Sequence, residues 1–518
     1  MTLQSQNEVD VKDNIPNEAA DVNASGISAS DDRCLRLGVD GFSRHLQPDA
    51  VPLVVDLDGT LIRSDLLIEA AFSQLGRRPH AILDMLRALS QGKAALKHGL
   101  SDTTTFSPAL LPYDPVVLQR IRDARDEGRP VYLASASHER LVSAVADHLG
   151  LFDGWFASDA SINRAGAAKA ERLVEAFGEG GFDYIGNDAA DLPVWARARR
   201  AFAIRAPSSV VRRLAATCPE VEHLPHDRPT WRTWAKLLRV HQYAKNALLF
   251  VPLLTAHALE PLAFAQVLLA AVAFSLCASS VYLLNDLVDL QDDRGHRSKC
   301  HRPLANGSVP LAHAVFAIPL LLGSSMAMAA ALSMPFFGVL VTYFAVTTAY
   351  SFWLKRKALL DVLALASLYT LRVVAGAAVL GITVSAWLLA FCLAIFLSLA
   401  LIKRYVELAA RLDAGQPDSS SRGYKNTDAD LVLALAAAAG FNAVTVFILY
   451  ASSDSVNRIY SQPMILWLVG PILTYWIARI LMLAHRRAMK DDPVAFAITD
   501  RASLVCLSMI GGLAYAAT

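Results

Sequence analysis

The feature that most constrains this 518-residue chain is a change of texture near Pro229. Before it, apolar and polar residues alternate as in water-soluble domains. After it come long runs without charge, each close to the roughly 20 residues that cross a bilayer as a helix. A composition of 54% hydrophobic residues is high for one soluble core of this length, so two units are expected on one chain. The expected architecture is an α/β unit over residues 46–215, with a parallel sheet and a small helical cap, followed by a linker and interfacial helix over 216–243. An all-α polytopic membrane domain over 244–518 completes it. Residues 1–45 are expected to be a disordered tail, since Met1 to about Asp32 is polar, acidic and nearly devoid of aromatics, and the N-terminus shows no basic-then-apolar signal pattern.

Nine spans are expected, with cores at 244–258, 263–288, 311–332, 335–353, 359–381, 385–402, 430–452, 463–484 and 502–518, the first and last being short. Lysine and arginine fall in alternate loops. Arg294, Arg297, Lys299 and Arg302 lie in one, Lys355, Arg356 and Lys357 in the next, then Lys403, Arg404, Arg411, Arg422 and Lys425, and finally Arg486, Arg487, Lys490 and Arg501. The intervening loops hold only Arg458, so the positive-inside rule places the N-terminal unit and the charged loops in the cytoplasm, with the C-terminus outside a plasma (inner) membrane. Trp231, Trp234 and Tyr243 interleave with Arg232, Lys236, Arg239 and Lys245 ahead of the first span. That pattern suits an interfacial helix, although the Trp231 end is equally compatible with an ordinary linker helix. A net charge of +1 gives no case for nucleic acid, and six cysteines without metal-ligand spacing give none for zinc.

At the end of the second span stands Asn285-Asp286-Leu-Val-Asp289-Leu-Gln-Asp292-Asp293-Arg294. On a helix Asp286, Asp289 and Asp293 share one face, and such a concentration of negative charge beside the membrane is costly unless a cation sits there. Oxygen-only ligands suit Mg²⁺, which commonly bridges to substrate phosphates, and the following Arg294, His296, Lys299 and Arg302 supply a loop able to hold anionic oxygens.

The stretch Asn285–Gly307, NDLVDLQDDRGHRSKCHRPLANG, resembles the first aspartate-rich motif of the UbiA superfamily, and more narrowly its decaprenyl-phosphate phosphoribosyltransferase branch. The resemblance extends to Arg239-x-x-Gln242-Tyr243-x-Lys245-Asn246, to Tyr350-x-x-x-x-Lys355 with Asp361, and to Lys403-Arg404-Tyr405-x-Glu407-Leu408. It implies a nine-span enzyme in which Asp286, Asp289 and Asp293 hold Mg²⁺ on a diphosphate and act in its ionisation. It also implies that Asn285, Arg294, His296, Lys299, Arg302 and Lys355, with Lys245, Asp361, Lys403 and Arg404, bind substrate. The implied substrates are phosphoribosyl pyrophosphate and a polyprenyl phosphate in a lipid bilayer. Aromatic prenyltransferases of the superfamily usually carry several carboxylates in a second motif, where this chain has Asp361 alone. Arg372, inside the fifth span, reads either as a substrate contact or as an interhelical structural residue.

In the soluble unit, Val51-Pro-Leu-Val-Val-Asp56-Leu-Asp58-Gly59-Thr60 reads as a buried strand ending in two carboxylates and a glycine turn. Val131–Ser135 and Tyr184–Asp191 read as further strands with polar tips, and Lys169 opens a helical stretch. In this order they resemble the four motifs of the haloacid dehalogenase (HAD) class. The resemblance implies Asp56 as nucleophile and Asp58 as acid/base, Ser135 and Lys169 as phosphate binders, and a Mg²⁺ set drawn from Asp56, Asp58 and Asp188, with Asp191 in support. Amphipathic runs at 66–75 and 81–89 read as a cap over this site.

Joined, the halves suggest consecutive steps. Phosphoribosyl transfer to a polyprenyl phosphate would be followed by removal of the 5-phosphate, giving polyprenyl-phosphoryl ribose, a precursor of arabinose donors. The alternatives are a prenyltransferase acting on an aromatic or lipid acceptor beside an independent phosphatase, a phosphatase whose membrane half only binds lipid, and a degenerate HAD-like domain kept for docking.

Overall fold

The computed structural model describes residues 50–518 except 79, 91–98, 101–106, 159–165, 219, 259, 297, 419–421, 458–459 and 490–492. The expected N-terminal tail, and Arg297, Arg458 and Lys490 of the charge pattern, lie outside the described residues.

The soluble half is built on one six-stranded parallel sheet, formed by β1 (Leu53–Asp56), β2 (Val131–His138), β3 (Gly154–Ser158), β4 (Asp183–Gly186), β5 (Arg200–Ala203) and β6 (Val221–His223). The spatial order is β3-β2-β1-β4-β5-β6. β1 and β4 are wholly buried, as apolar runs covered on both faces must be. The chain winds outward from β1 in both directions, so a crevice opens at the carboxyl ends of β1 and β4, where such sheets bind ligands. The unit runs past the expected boundary at residue 215: β6 pairs with β5, and Leu224 behind it is 7% exposed, because the sheet gains an edge strand from what read as linker.

Of the cap, α1 (Leu66–Arg77) starts where Asp65 caps the amide of Ile68 at 3.0 Å, and α2 (Ala81–Ser90) follows. α1 lies against the other half of the molecule: Ile68 and Phe72 pack on the cluster of Leu283, Leu287, Leu290 and Leu304. Gly76 fits there because a Cβ would stand 2.7 Å from Val288 Cγ1.

Trp231–Leu237 forms a short helix, α3, with Thr230 capping it. Among the described residues, seven helices are long and apolar enough to cross a membrane by length and composition. They are Pro261–Val288, Leu311–Leu332, Met334–Phe352, Leu360–Leu380, Ala386–Asp413, Asn426–Ala451 and Pro463–His485. The expected first and last spans differ from these. Arg501–Ala517 is apolar but shorter, and 244–258 is not one helix. There the chain runs as a 3₁₀ segment, Val240–Phe250, into a short α-turn, Val251–Thr255, where Pro252 supplies no amide donor. It travels from Arg239, paired with Asp286, to His257, which meets Tyr460 and Thr518 at the other end of the bundle. At about 2.0 Å per residue, a 3₁₀ path covers more depth with fewer residues than an α-helix does. Gly376 makes room for it, since a Cβ there would sit 1.9 Å from the carbonyl oxygen of Leu249.

The charged loops meet at one end of the bundle. Lys355 bonds Asp289, Arg422 reaches Tyr350, and Arg487 bonds Asp413.

Candidate active sites

At the tip of β1, Asp56 accepts from Lys169 Nζ at 2.8 Å and from Thr60 Oγ1 at 3.1 Å. Lys169, on the helix Ala167–Phe177, also bonds Asp191 at 3.2 Å and Tyr184 at 2.9 Å. Asp191 closes the network, accepting from the Tyr184 hydroxyl at 2.7 Å and from the Asn187 amide at 2.9 Å. Burial pushes the Asp56 carboxyl up to about 7, against the opposing pull of Lys169. Burial works against the charge of Lys169 too, but Asp56 and Asp191 overcome it and hold the pKa of the ammonium above its usual value. The site therefore keeps a fixed cation beside the proposed nucleophile.

Two residues stand elsewhere than the sequence suggested. Asp188 is exposed and caps Ala189, because β4 ends at Gly186 and the next side chain at the strand tip belongs to Asn187. Asn187 Oδ1 accepts from Thr60 Oγ1 at 3.2 Å, so the amide, not the Asp188 carboxylate, joins the Asp56 network. Asp58 is held by both oxygens: Oδ1 accepts from the Leu66 amide at 2.8 Å, and Oδ2 from Ser137 at 2.7 Å and Ser135 at 3.2 Å. It anchors the start of α1 rather than offering a free oxygen to a metal, and Ser135 is turned toward it. Arg205, which the sequence did not single out, donates to the carbonyls of Gly59 and Thr60 at 2.8 and 2.9 Å and also pairs with Asp114. Its left-handed backbone, φ +50°, is the feature that aims it at this turn.

In the membrane half the three expected aspartates lie together at the end of Pro261–Val288 and in Leu290–Gly295. Asp286 pairs with Arg239 and with Arg302 at 3.0 Å, and the same Arg302 nitrogen donates to Asp293 at 2.5 Å. Lys299 stands 3.8 Å from Asp293. Asp289 ends the long helix, turns toward the neighbouring loop, and takes both its bonds from Lys355 at 3.0 Å. Burial raises the Asp293 carboxyl to about 6 despite Arg302. Nothing in the sequence joins Arg239 to the aspartates; its positive φ of 54° turns the chain at the start of the 3₁₀ run, and its side chain pairs with Asp286.

Other expected substrate residues are placed differently. Arg294 points away from the aspartates, buried against Glu69 of α1. Asp361 is fully buried between Arg404 and the Tyr424 hydroxyl, the latter at 2.6 Å, with Arg422 at 3.9 Å. Arg404 also pairs with Glu407, so Asp361 and Arg404 form an internal joint between the helices Leu360–Leu380 and Ala386–Asp413. Lys245 lies 5.5 Å over the ring of Tyr369, Lys403 is half-buried, Asn285 is half-buried on the aspartate helix, and His296 is exposed beside Ser298. Arg372 is buried with partners on three sides. It donates to Asn246 at 3.1 Å, to Tyr343 at 3.0 Å and to the Leu368 carbonyl at 2.9 Å.

Among the described residues no group of three or more His, Cys, Asp or Glu stands at ligand spacing. The donors nevertheless fit a hard divalent cation in kind: they are oxygens only, and one guanidinium already bridges Asp286 and Asp293, so positive charge is accommodated between them. In the soluble site the oxygens of Asp56 and Asn187 meet at Thr60 and are of the same kind.

The profile of the UbiA prenyltransferase family matches residues 247–504. An uncharacterised protein of Sinorhizobium fredii, y4nM, is 36% identical over 471 residues, covering 90% of each chain. Nodulation protein NoeC of Azorhizobium caulinodans is 35% identical over 275 residues, 53% of this chain and 90% of that one. Decaprenyl-phosphate phosphoribosyltransferase of Mycobacterium tuberculosis is 36% identical over 179 residues, with 33% of this chain and 59% of that enzyme covered. Among solved structures, a UbiA homolog from Archaeoglobus fulgidus bound to GPP and Mg²⁺ is 15% identical, with a TM-score of 0.43, over 55% of this chain and 99% of that one. A HAD family hydrolase from Salmonella enterica is 16% identical, with a TM-score of 0.27, over 34% of this chain and 69% of that one.

Proposed function

The chain belongs to the UbiA prenyltransferase family of membrane enzymes, and from that premise we propose that it transfers 5-phosphoribose from phosphoribosyl pyrophosphate to a polyprenyl phosphate, its soluble half then removing the 5-phosphate. The observation that carries this reading is the number of cations gathered on three aspartates: Arg239, Lys299, Arg302 and Lys355. A diphosphate donor bearing a further phosphate, and an acceptor that is itself a phosphate, need that many positive partners. The burial of Asp361 against Arg404 and Tyr424 supports the same choice, because it closes off the carboxylate that stands where aromatic prenyltransferases carry their second motif.

Asp286, Asp289 and Asp293 would hold Mg²⁺, which when bound neutralises the departing diphosphate. Arg302 and Lys355, which here pair with the aspartates, would bind the phosphate oxygens, where charge grows as the bond at ribose C1 lengthens. The lipid phosphate attacks C1 without a general base, since its oxygen is already ionised at neutral pH. In the soluble half Asp56 attacks phosphorus while Lys169 offsets the charge of the phosphate, and Arg205 holds the backbone turn beside it. Asp56 and Asn187 would hold Mg²⁺ there, Asp58 would leave its bonds to Ser135 and Ser137 to hand a proton to the leaving alcohol, and water would then free the phosphate from Asp56.

The charged loops and the soluble half share one end of the molecule, which the positive-inside rule assigns to the cytoplasm of an inner-membrane protein. The 5-phosphorylated product is then formed beside the enzyme that removes its phosphate, giving polyprenyl-phosphoryl ribose, a precursor for arabinose donors. The test is to incubate the purified full chain with Mg²⁺, radiolabelled phosphoribosyl pyrophosphate and a polyprenyl phosphate. Label in the lipid phase without a 5-phosphate supports both steps. Label that keeps the phosphate restricts the reading to transfer, and no label, in protein active on an isoprenoid diphosphate, replaces it with prenyl transfer.

A further inference from the structure

The ion pair between Glu69 and Arg294 joins residues 225 positions apart and is the buried charge contact between the two halves, its side chains 4% and 3% exposed. Arg294 Nη1 donates to Glu69 Oε2 at 2.9 Å and Nη2 to Oε1 at 2.7 Å. Nη2 also reaches Ser64 Oγ at 3.1 Å, and Nε the carbonyl of Ala305 at 3.0 Å. Gln291 adds a bond to Glu69 Oε2 at 2.6 Å, and the Ser64 hydroxyl donates to Oε1. A buried pair is tolerated only when its remaining donors and acceptors are met, and here they are met from both halves.

The guanidinium therefore ties residue 294 to residue 305, the two sides of the loop that carries Lys299 and Arg302. The same loop touches the soluble half again at Gly307, φ +70°, where a Cβ would lie 2.6 Å from the Arg63 carbonyl oxygen. Arg302, which bridges Asp286 and Asp293, stands between these two points of attachment.

We propose that Glu69 is a positioning residue for the membrane site: by engaging Arg294 it fixes the 290–307 loop, so that the site is complete only with the soluble half docked on it. This deepens the transferase reading and rests on it for its kinetic consequence, whereas its structural consequence stands alone. The soluble half is thus part of the membrane enzyme as well as a neighbour that receives its product.

The test uses the purified full chain as wild type, Glu69→Gln, the neutral pair Glu69→Gln with Arg294→Gln, and the surface control Glu175→Gln. Each is checked for elution and melting, then measured by amide hydrogen exchange and by transfer from phosphoribosyl pyrophosphate. Glu69→Gln is expected to speed exchange in 290–307 and to lower kcat/KM about tenfold, mainly through KM for the diphosphate donor, as loss of coupling between sites does. The neutral pair, which strands no buried charge, is expected to recover part of both. Unchanged exchange and kinetics in Glu69→Gln would overturn the proposal, and so would a neutral pair slower than Glu69→Gln, which would make Arg294 a direct substrate ligand. If wild type shows no transfer at all, the transferase reading fails, while exchange in 290–307 still decides whether Glu69 fixes the loop.

Discussion

In the soluble half a single ammonium, that of Lys169, serves two carboxylates fixed to one sheet, whereas in the membrane half four cations from three segments serve three aspartates at one helix end. The soluble arrangement is a nearly closed network with one more carboxylate than cation, Asp56, Lys169 and Asp191 all being buried at the tip of the sheet. The membrane arrangement is close to charge-balanced before anything binds, and its two buried carboxylates, Asp286 and Asp293, would be costly without those cations. Binding in the soluble half thus adds partners to a fixed frame. On the proposed function it would exchange them in the membrane half, the phosphates taking the cations while the aspartates would hold a metal ion.

The widest separation is expected from Asp56→Asn, which should cut phosphate release by roughly 10⁴-fold, as loss of a nucleophile does, while labelled lipid still forms and accumulates with its 5-phosphate. Chromatography of the lipid products reads this directly, and unaltered products would end the idea of consecutive steps. Next is Asp286→Asn, expected to slow transfer on the order of 10²–10³-fold, because one carboxylate of the metal set is gone and Arg239 loses its partner. A matched loss of phosphatase activity on a soluble phosphate ester would show that the two sites are not separable.

Asp361→Asn sharpens the contrast between a joint and a site. It removes the buried partner of Arg404 and leaves it only Glu407, which costs about 1–3 kcal/mol and should show as a lower melting temperature in detergent. A normal melting curve with altered KM would return Asp361 to the substrate. The smallest effect concerns Asp65, whose carboxyl burial, with the Asp58 charge beside it, raises to about 6 from 3.8. Its contribution to stability is full below the unfolded value and is lost as pH rises through the folded one. Asp65→Asn keeps a cap acceptor for Ile68 and removes that loss, so the variant should melt with wild type near pH 4 and slightly above it near pH 8.

Much of this was legible in local pattern. The strand ending in Asp56, the nearness of Asp286 and Asp293, and the uncharged runs of the long helices depend on neighbours a few residues away, which periodicity records, whereas the helix break at Asp289 turns that side chain to Lys355 instead. What escaped depends on partners far off in the chain or on one residue of register. Asp188 and Asn187 look interchangeable in sequence, and only the point where β4 stops decides which reaches the crevice. Arg294 sits in a loop rich in phosphate-binding residue types, and nothing nearby announces Glu69 across the domain boundary. The 244–258 run has the composition of a helix but not the contacts of one, since Asn246 is drawn to Arg372 and Ser275.

That bent segment has a consequence for how the protein is assembled. Its Asn246 is held by Arg372, 126 residues later, and its backbone rests on Gly376. The stretch that leaves the ribosome first in the membrane half is therefore seated late, after the helix Leu360–Leu380 has arrived to receive it. A chain released before residue 360 should leave a cysteine placed at position 246 open to a water-soluble thiol reagent, and the finished chain should protect it.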